Sequence, residues 1–254
     1  MTGVDVILSL YHRKHEGKIF AFSTRGLLPA VYKLGCAYPP FYDELKSERR
    51  ITNLLKIVRR DIEIAEAEGG NRRGVIDSLR PHTQEIWRNL PEPGKRYFMQ
   101  HLSHYWNAAR HRMPPECAKI LDELQAKSQL KILKGRLKNI ETSGEKFDVL
   151  YSSKTGEKHL AVRAIFNCIG SESDFNQVDS TLVKILIEKG LIKPDSLRMG
   201  IDATPNGKII DAAGKIFDAI LTLGTSLKGV LWETTAMPEI RAQAKNLALR
   251  ILEE

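Results

Sequence analysis

Three rhythms of apolar and polar positions succeed one another along the chain. Val4 to Leu10 reads as the end of a helix, and Lys18 to Ser23, "KIFAFS", as a strand closed by "TRGLLP". From about Tyr42 to Lys127 the apolar positions recur at helical spacing, with breaks at "EGGNRRG", "LPEPG" and "RMPP". Pro81 and Pro115 sit where a first helical turn accepts them, because that turn has no N–H bond to lose. After Leu130 come short alternating runs, "LKILKG", "LKNIET", "KFDVLYS" and "HLAVRAIFNCIG". They are separated by "SGE" and "KTGEK", which predicts an antiparallel meander. A helix at about Thr181 to Lys189, strands around "GKIID" and "AILTLG", and a closing helix from about Thr234 to Leu252 complete the pattern. There are no repeats and no low-complexity tract. The chain opens with a helix followed by a strand, whereas a parallel βαβ unit needs a strand before that helix. Either another chain supplies that strand or the sequence begins partway through a domain.

Composition narrows the classes. The 254 residues, 42% of them hydrophobic, suffice for one large domain or two small ones with buried cores. No run approaches the roughly 18 to 20 apolar residues that span a bilayer, and the N-terminus lacks the basic start and small-residue cleavage site of a secretory leader. The expectation is a cytoplasmic protein with no membrane partner. Cys36, Cys117 and Cys168 are far apart and odd in number, so neither a disulfide framework nor a CxxC pair is expected. The net charge of +8 is compatible with an anionic partner. Its basic clusters, "SERR", "VRR", "NRR" and "ARHR", are scattered and accompany no nucleic-acid-binding module, so nucleic acid is not expected. A gel shift that persists at moderate salt would reverse that expectation, since nonspecific phosphate contacts weaken steeply with salt.

The segments "VDVILSLYHRKHEGKIFAFSTRGLLP", "IDSLRPHTQEIWRNLP", "ARHRMPPE", "IFNCIGSESDF" and "LTLGTSLKGVLWETTAMPEIRAQA" carry a resemblance. Together, in this order and over nearly the whole chain, they resemble the second half of the FAD/NAD(P)-binding flavoproteins. These are the two-dinucleotide-domain oxidoreductases related to the pyridine nucleotide-disulfide group. The N-terminal FAD half of that family, with its GxGxxG turn, is lacking here, and so is the first strand of the inserted NAD(P) domain. Of the Gly-rich turn only Thr2, Gly3, Val4 and Asp5 correspond. The resemblance therefore implies a truncated or split flavoprotein of α/β class. It would hold an incomplete Rossmann-like NAD(P)-binding domain over residues 1–168, with a helical insert at about 42–128 and a β-meander at about 129–168. Residues 169–254 would be a C-terminal segment of an FAD-binding domain. The implied cofactors are FAD and NADP, with NAD less favoured, and a partner chain carrying the FAD half is implied as the alternative to activity alone.

In a dinucleotide fold the end of the second strand lies beside the adenosine ribose, where an acid binds the 2′-hydroxyl and an arginine accommodates a 2′-phosphate. Ser23, Thr24 and Arg25 fall there, some twenty residues after Gly3, with no acidic residue, which favours NADP; the alternative is a polar turn with a solvated arginine. By resemblance, the "IFNCIG" strand leads from the NAD(P) domain back toward the FAD domain. Gly170 would allow a close backbone approach there. Cys168, with no basic residue or second cysteine near it in sequence, reads as a small buried hydrophobe rather than a reactive thiol. At the other end, "ILTLG" ends a strand at Gly224, and Thr234 or Thr235 is a candidate N-cap for the closing helix. Flavoproteins aim such a helix start at the isoalloxazine edge, so by resemblance Trp232, Glu233, Thr234 and Thr235 are candidate flavin neighbours; the alternative is an ordinary capped helix with a core Trp. Thr225 stands where the commonest flavoprotein pattern has an Asp. Arg110, His111 and Arg112 are candidates for a basic rim to a substrate or NADP pocket; the alternative is a solvated helix end. His101 and His104 share a helix face, but no third ligand is evident and no metal site is expected. "GGNRRG" follows no strand and fails the context of a phosphate loop. No catalytic acid or base is assigned.

Overall fold

The computed structural model describes residues 2–33, 35, 37–170 and 172–253. In chain order its elements are α1 (Thr2–His12), β1 (Ile19–Ser23), α2 (Ile51–Ala67), α3 (Arg72–Ser78), α4 (Thr83–Asn89), α5 (Glu92–Tyr97), α6 (Ser103–Arg110) and α7 (Pro115–Ala126). There follow β2 (Leu130–Lys134), β3 (Arg136–Ser143), β4 (Lys146–Ser153), β5 (Gly156–Val162), α8 (Thr181–Glu188), β6 (Lys208–Ile210), β7 (Ile216–Leu221), α9 (Lys228–Leu231) and α10 (Met237–Glu253). The chain is thus mixed α/β, with small sheets of two and three strands. Among the described residues no helix is long and apolar enough to cross a membrane. Two compact units divide it: Met1–Cys36 with Leu102–Gly170, and Ala37–His101 with Ser171–Glu254.

In the first unit β1 and β2 run parallel, in register from Ile19 opposite Leu130 to Ser23 opposite Lys134. Strand alternation turns Ile19, Ala21, Leu130 and Ile132 to one face, and these residues pack with Val4 and Ile7 of α1 and Ala118, Leu121 and Leu124 of α7. Burying each larger aliphatic side chain in that cluster contributes about 1.5–3 kcal/mol. Phe22 points the opposite way and meets Tyr151 of β4 edge to face at 5.2 Å. The parallel pair therefore lies between two helices and an antiparallel sheet, β3-β4-β5. In that sheet Ile140, Val149 and Leu160 stand opposite one another.

Two expectations are corrected here. "LKILKG" joins β1 as a parallel partner and does not belong to the meander, which begins at Arg136. "AIFNCIG" is not a strand: β5 ends at Val162, opposite Phe147, one residue from the start of β4 at Lys146, so the ladder all but ends there. Ile165, Phe166 and Ile169 are consequently exposed, at 42%, 59% and 92%.

In the second unit "EGGNRRG" stops one helix and starts the next. Gly69, at φ 76°, turns the chain out of α2, and the Asn71 side chain caps α3 by accepting from Arg73 N at 3.0 Å. Ile192, Ile201 and Ile209 form one apolar cluster with Phe175, Val183, Leu186 and Ile187 around them. Ala203, Leu227 and Leu231 form a second. The closing helix begins at Met237, so neither Thr234 nor Thr235 is its N-cap. The Thr234 hydroxyl donates to the Gly224 carbonyl at 2.8 Å instead of capping a helix N–H.

Candidate functional site

Ser23, Thr24 and Arg25 lie at and just beyond the carboxyl end of β1. The Ser23 hydroxyl accepts from Gly26 N at 2.9 Å and its carbonyl accepts from Gly135 N at 3.1 Å. These two bonds tie the turn after β1 to the residue that leaves β2. Gly26 adopts φ 64°, and a Cβ there would come within 3.1 Å of Lys134 Cβ. Gly135 is closed in more tightly: a Cβ would lie 2.4 Å from the Ser152 carbonyl and 2.9 Å from the Tyr151 ring. The strand ends, their turns and β4 thus converge on one spot whose nearest residues in sequence, 17–26 and 130–138, include no acid. Arg25 and Lys134 form no ion pair among the described residues. In α/β sheets ligands bind in the crevice outside the carboxyl ends of the parallel strands.

Gly3, in the first turn of α1, lies against Cys168: a Cβ at Gly3 would sit 3.9 Å from Cys168 Cβ, ordinary contact. The two sequence segments singled out around Gly3 and Cys168 are therefore neighbours. Gly170 differs from expectation, since no atom of the described residues lies within 4 Å of a Cβ placed there. What it requires is its φ of 99°, which side chains rarely adopt, and not a close approach. Cys117 and Cys168 are free thiols; Cys36 lies outside the described residues. Arg110, His111 and Arg112 run along the segment after β1. Ala30 N donates to Ala108 O at 2.7 Å, and Met113 exchanges bonds with Ala30 and Tyr32 at 2.9 and 2.8 Å. The Arg112 guanidinium turns back to the Ala109 carbonyl at 3.1 Å. Met113 anchors this stretch in the core.

In the second unit Trp232, Glu233 and Thr234 form a buried turn between α9 and α10, and Gly224, three residues beyond the end of β7 at Leu221 and ahead of α9, is bonded to it through Thr234. Trp232 has φ 62° and ψ −77°, an outlier for a bulky side chain, and conformations of this kind concentrate at functional turns. Its ring stacks on Trp87 at 5.2 Å and 27°, with Phe98 edge-on at 5.2 Å. The Trp87 indole N–H donates to the Gly229 carbonyl at 2.8 Å, whereas the Trp232 indole N–H is buried with no hydrogen-bond partner among the described residues. Lys95 and Lys228 stand over the two rings, 5.6 Å from the Trp87 centroid and 5.8 Å from the Trp232 centroid. Burial pulls the Lys95 ammonium below its usual range, against the opposing pull of Glu92 and Asp195. Gln243 of α10 closes the turn, accepting from Gly224 N at 2.7 Å and donating to the Thr234 hydroxyl at 2.6 Å. The Gln84 amide reaches the Glu233 carbonyl. Thr235 is exposed.

Gln84, Trp87 and Gln243 carry no signal in the sequence; each meets the turn across many residues of chain, and no local pattern marks such a pairing. Among the described residues no group of three or more His, Cys, Asp or Glu side chains could hold a metal ion. No known protein family, curated protein or solved structure matches the chain.

Proposed function

We propose that the chain is the nicotinamide-nucleotide-binding part of an FAD-dependent, NAD(P)H-using oxidoreductase of the cytoplasm. The observation that carries this reading is the carboxyl end of the parallel pair β1/β2, where Ser23, Thr24 and Arg25 offer hydroxyls and a positive charge with no acid to bind a ribose 2′-hydroxyl. That donor set fits the 2′-phosphate of NADP better than the free ribose of NAD. In the second unit, the buried Trp232 indole N–H without a partner is a donor available to a bound acceptor, which suits a flavin carbonyl. FAD and NADPH, when bound, would supply the hydride chemistry themselves. The residues of this chain would hold and orient them: Arg25 the adenosine end of the nicotinamide nucleotide, and the Trp232–Thr234 turn the flavin.

A second reading, a non-catalytic nucleotide-binding subunit that needs a partner chain, draws on the run from Ala164 to Gly170. It is apolar and exposed, and makes no backbone–backbone hydrogen bond among the described residues.

The test is a visible spectrum of the purified chain with FAD, then with NADPH added without oxygen. A flavin band that co-purifies and bleaches on adding NADPH is expected of the enzyme. A chain that binds NADPH but takes up no FAD supports the subunit reading. A chain that binds neither overturns both.

A further inference from the structure

The end of β2 carries a cation that the sequence pattern did not single out. Ser23 and Lys134 are opposite one another in the parallel register. Gly26 turns at φ 64° with its Cα against the Lys134 stem; a Cβ there would stand 3.1 Å from Lys134 Cβ, closer than ordinary contact. The turn that presents Arg25 is thereby seated on the residue that presents Lys134. It is held there by the Gly26 N to Ser23 Oγ and Gly135 N to Ser23 O bonds, at 2.9 and 3.1 Å. Lys134 is exposed and, like Arg25, forms no ion pair among the described residues. Two like charges stand on adjoining strand ends, with no acid in residues 17–26 or 130–138, and an anion bound there would be stabilised by both.

From this juxtaposition we infer that Lys134 is a specificity-determining residue, the second cation of a site that reads a phosphate on the ribose 2′ position. The inference rests on the proposal that this strand end binds a nicotinamide nucleotide. It deepens that proposal by assigning discrimination between phosphorylated and free ribose to two strands and not to Arg25 alone. Arg25 supplies planar paired donors, whereas Lys134 supplies a compact charge on a flexible stem.

The experiment is calorimetric titration of the intact chain with 2′,5′-ADP and, separately, with 5′-ADP. The two carry the same number of phosphates and differ in where the second one sits. The wild-type chain is expected to bind 2′,5′-ADP at least tenfold more tightly. Lys134→Ala should lose about tenfold in affinity for 2′,5′-ADP, the scale of one charge-assisted hydrogen bond, and leave 5′-ADP unchanged. Lys134→Arg should recover most of the loss. If Lys134→Ala weakens both nucleotides alike, or neither, while Arg25→Ala removes the preference, the role of Lys134 is overturned and the nucleotide reading survives. If the wild-type chain binds both nucleotides equally, the 2′-phosphate assignment falls for both residues. If it binds neither, the inference and the reading beneath it fail together.

Discussion

Single residues set the tolerances of the second unit. Gly229 is packed against Asp195, and a Cβ there would lie 2.2 Å from the carboxylate carbon. Asp195 cannot retreat cheaply, because its two oxygens accept from Leu197 N at 2.7 Å and Met199 N at 2.9 Å. Gly229→Ala should therefore destabilise by about 1–3 kcal/mol, read as a lower urea midpoint at unchanged slope; a loss under about 0.5 kcal/mol would show that the carboxylate shifts freely. Tyr42 gives a pH signature. Burial first, then the Glu85 carboxylate beside it, pushes its hydroxyl from 10.0 up to about 12. The folded chain thus holds a proton that the unfolded chain releases, so stability is independent of this group below pH 10 and falls as pH rises from about 10 to 12. Tyr42→Phe should flatten part of that fall in melting temperature between pH 10 and pH 12. Equal slopes in the two proteins would refute the assignment. At this scale the placement of the candidate residues was half legible. Ser23, Thr24 and Arg25 could be read because a strand followed by a polar turn is a local pattern. Lys134, Trp87 and Gln243 could not, because each acquires its neighbours from pairing across distant segments.

Elements were more legible than their partners. The helical spacing around Leu121 and Leu124, opened by Pro115, marked α7 correctly, since an amphipathic stripe and a proline in the first turn are both local properties. The destination of β2 was not legible: "LKILKG" alternates like a hairpin strand, and only the length of the βα connection separates a parallel partner from an antiparallel one. "AIFNCIG" failed for a related reason, because β-propensity is satisfied only where a neighbouring strand has residues left to pair. Stability should follow the same division between packed and local features. Leu121 is 1% exposed at the centre of the cluster joining α1, α7 and β2. Leu121→Ala should cost about 2–5 kcal/mol. Asn71→Ala, which removes one cap bond from a seven-residue helix, should cost about 1 kcal/mol. Denaturant titrations that ranked the two substitutions the other way would mean that α7 is not held by its buried face.

At the scale of the whole molecule, the order of segments decides how the chain responds to being cut. The second unit is assembled from Ala37–His101 and Ser171–Glu254, so its interior is shared between residues on either side of Phe166. Trp87 stacks on Trp232, the Trp87 indole bonds the Gly229 carbonyl, and Arg80 pairs with Glu239 at 3.0 Å, each linking the earlier segment to the later one. Phe166 itself is 59% exposed, in a run without backbone–backbone bonds among the described residues. Exposed, unbonded backbone is where proteases cut first. Brief chymotrypsin treatment should therefore cleave early after Phe166 and yield fragments 1–166 and 167–254. These should migrate separately in denaturing gels yet elute together in native gel filtration, with the tryptophan emission of the intact chain. The aromatic stack and the bonds around it account for this, since breaking them on separation would expose two large indoles to water. Fragments that part without denaturant would mean that residues 37–101 and 171–254 do not form a common core. Persistence of the pair would also allow the Trp232 turn to be tested for flavin contact in the nicked protein, where the 164–170 run is no longer continuous.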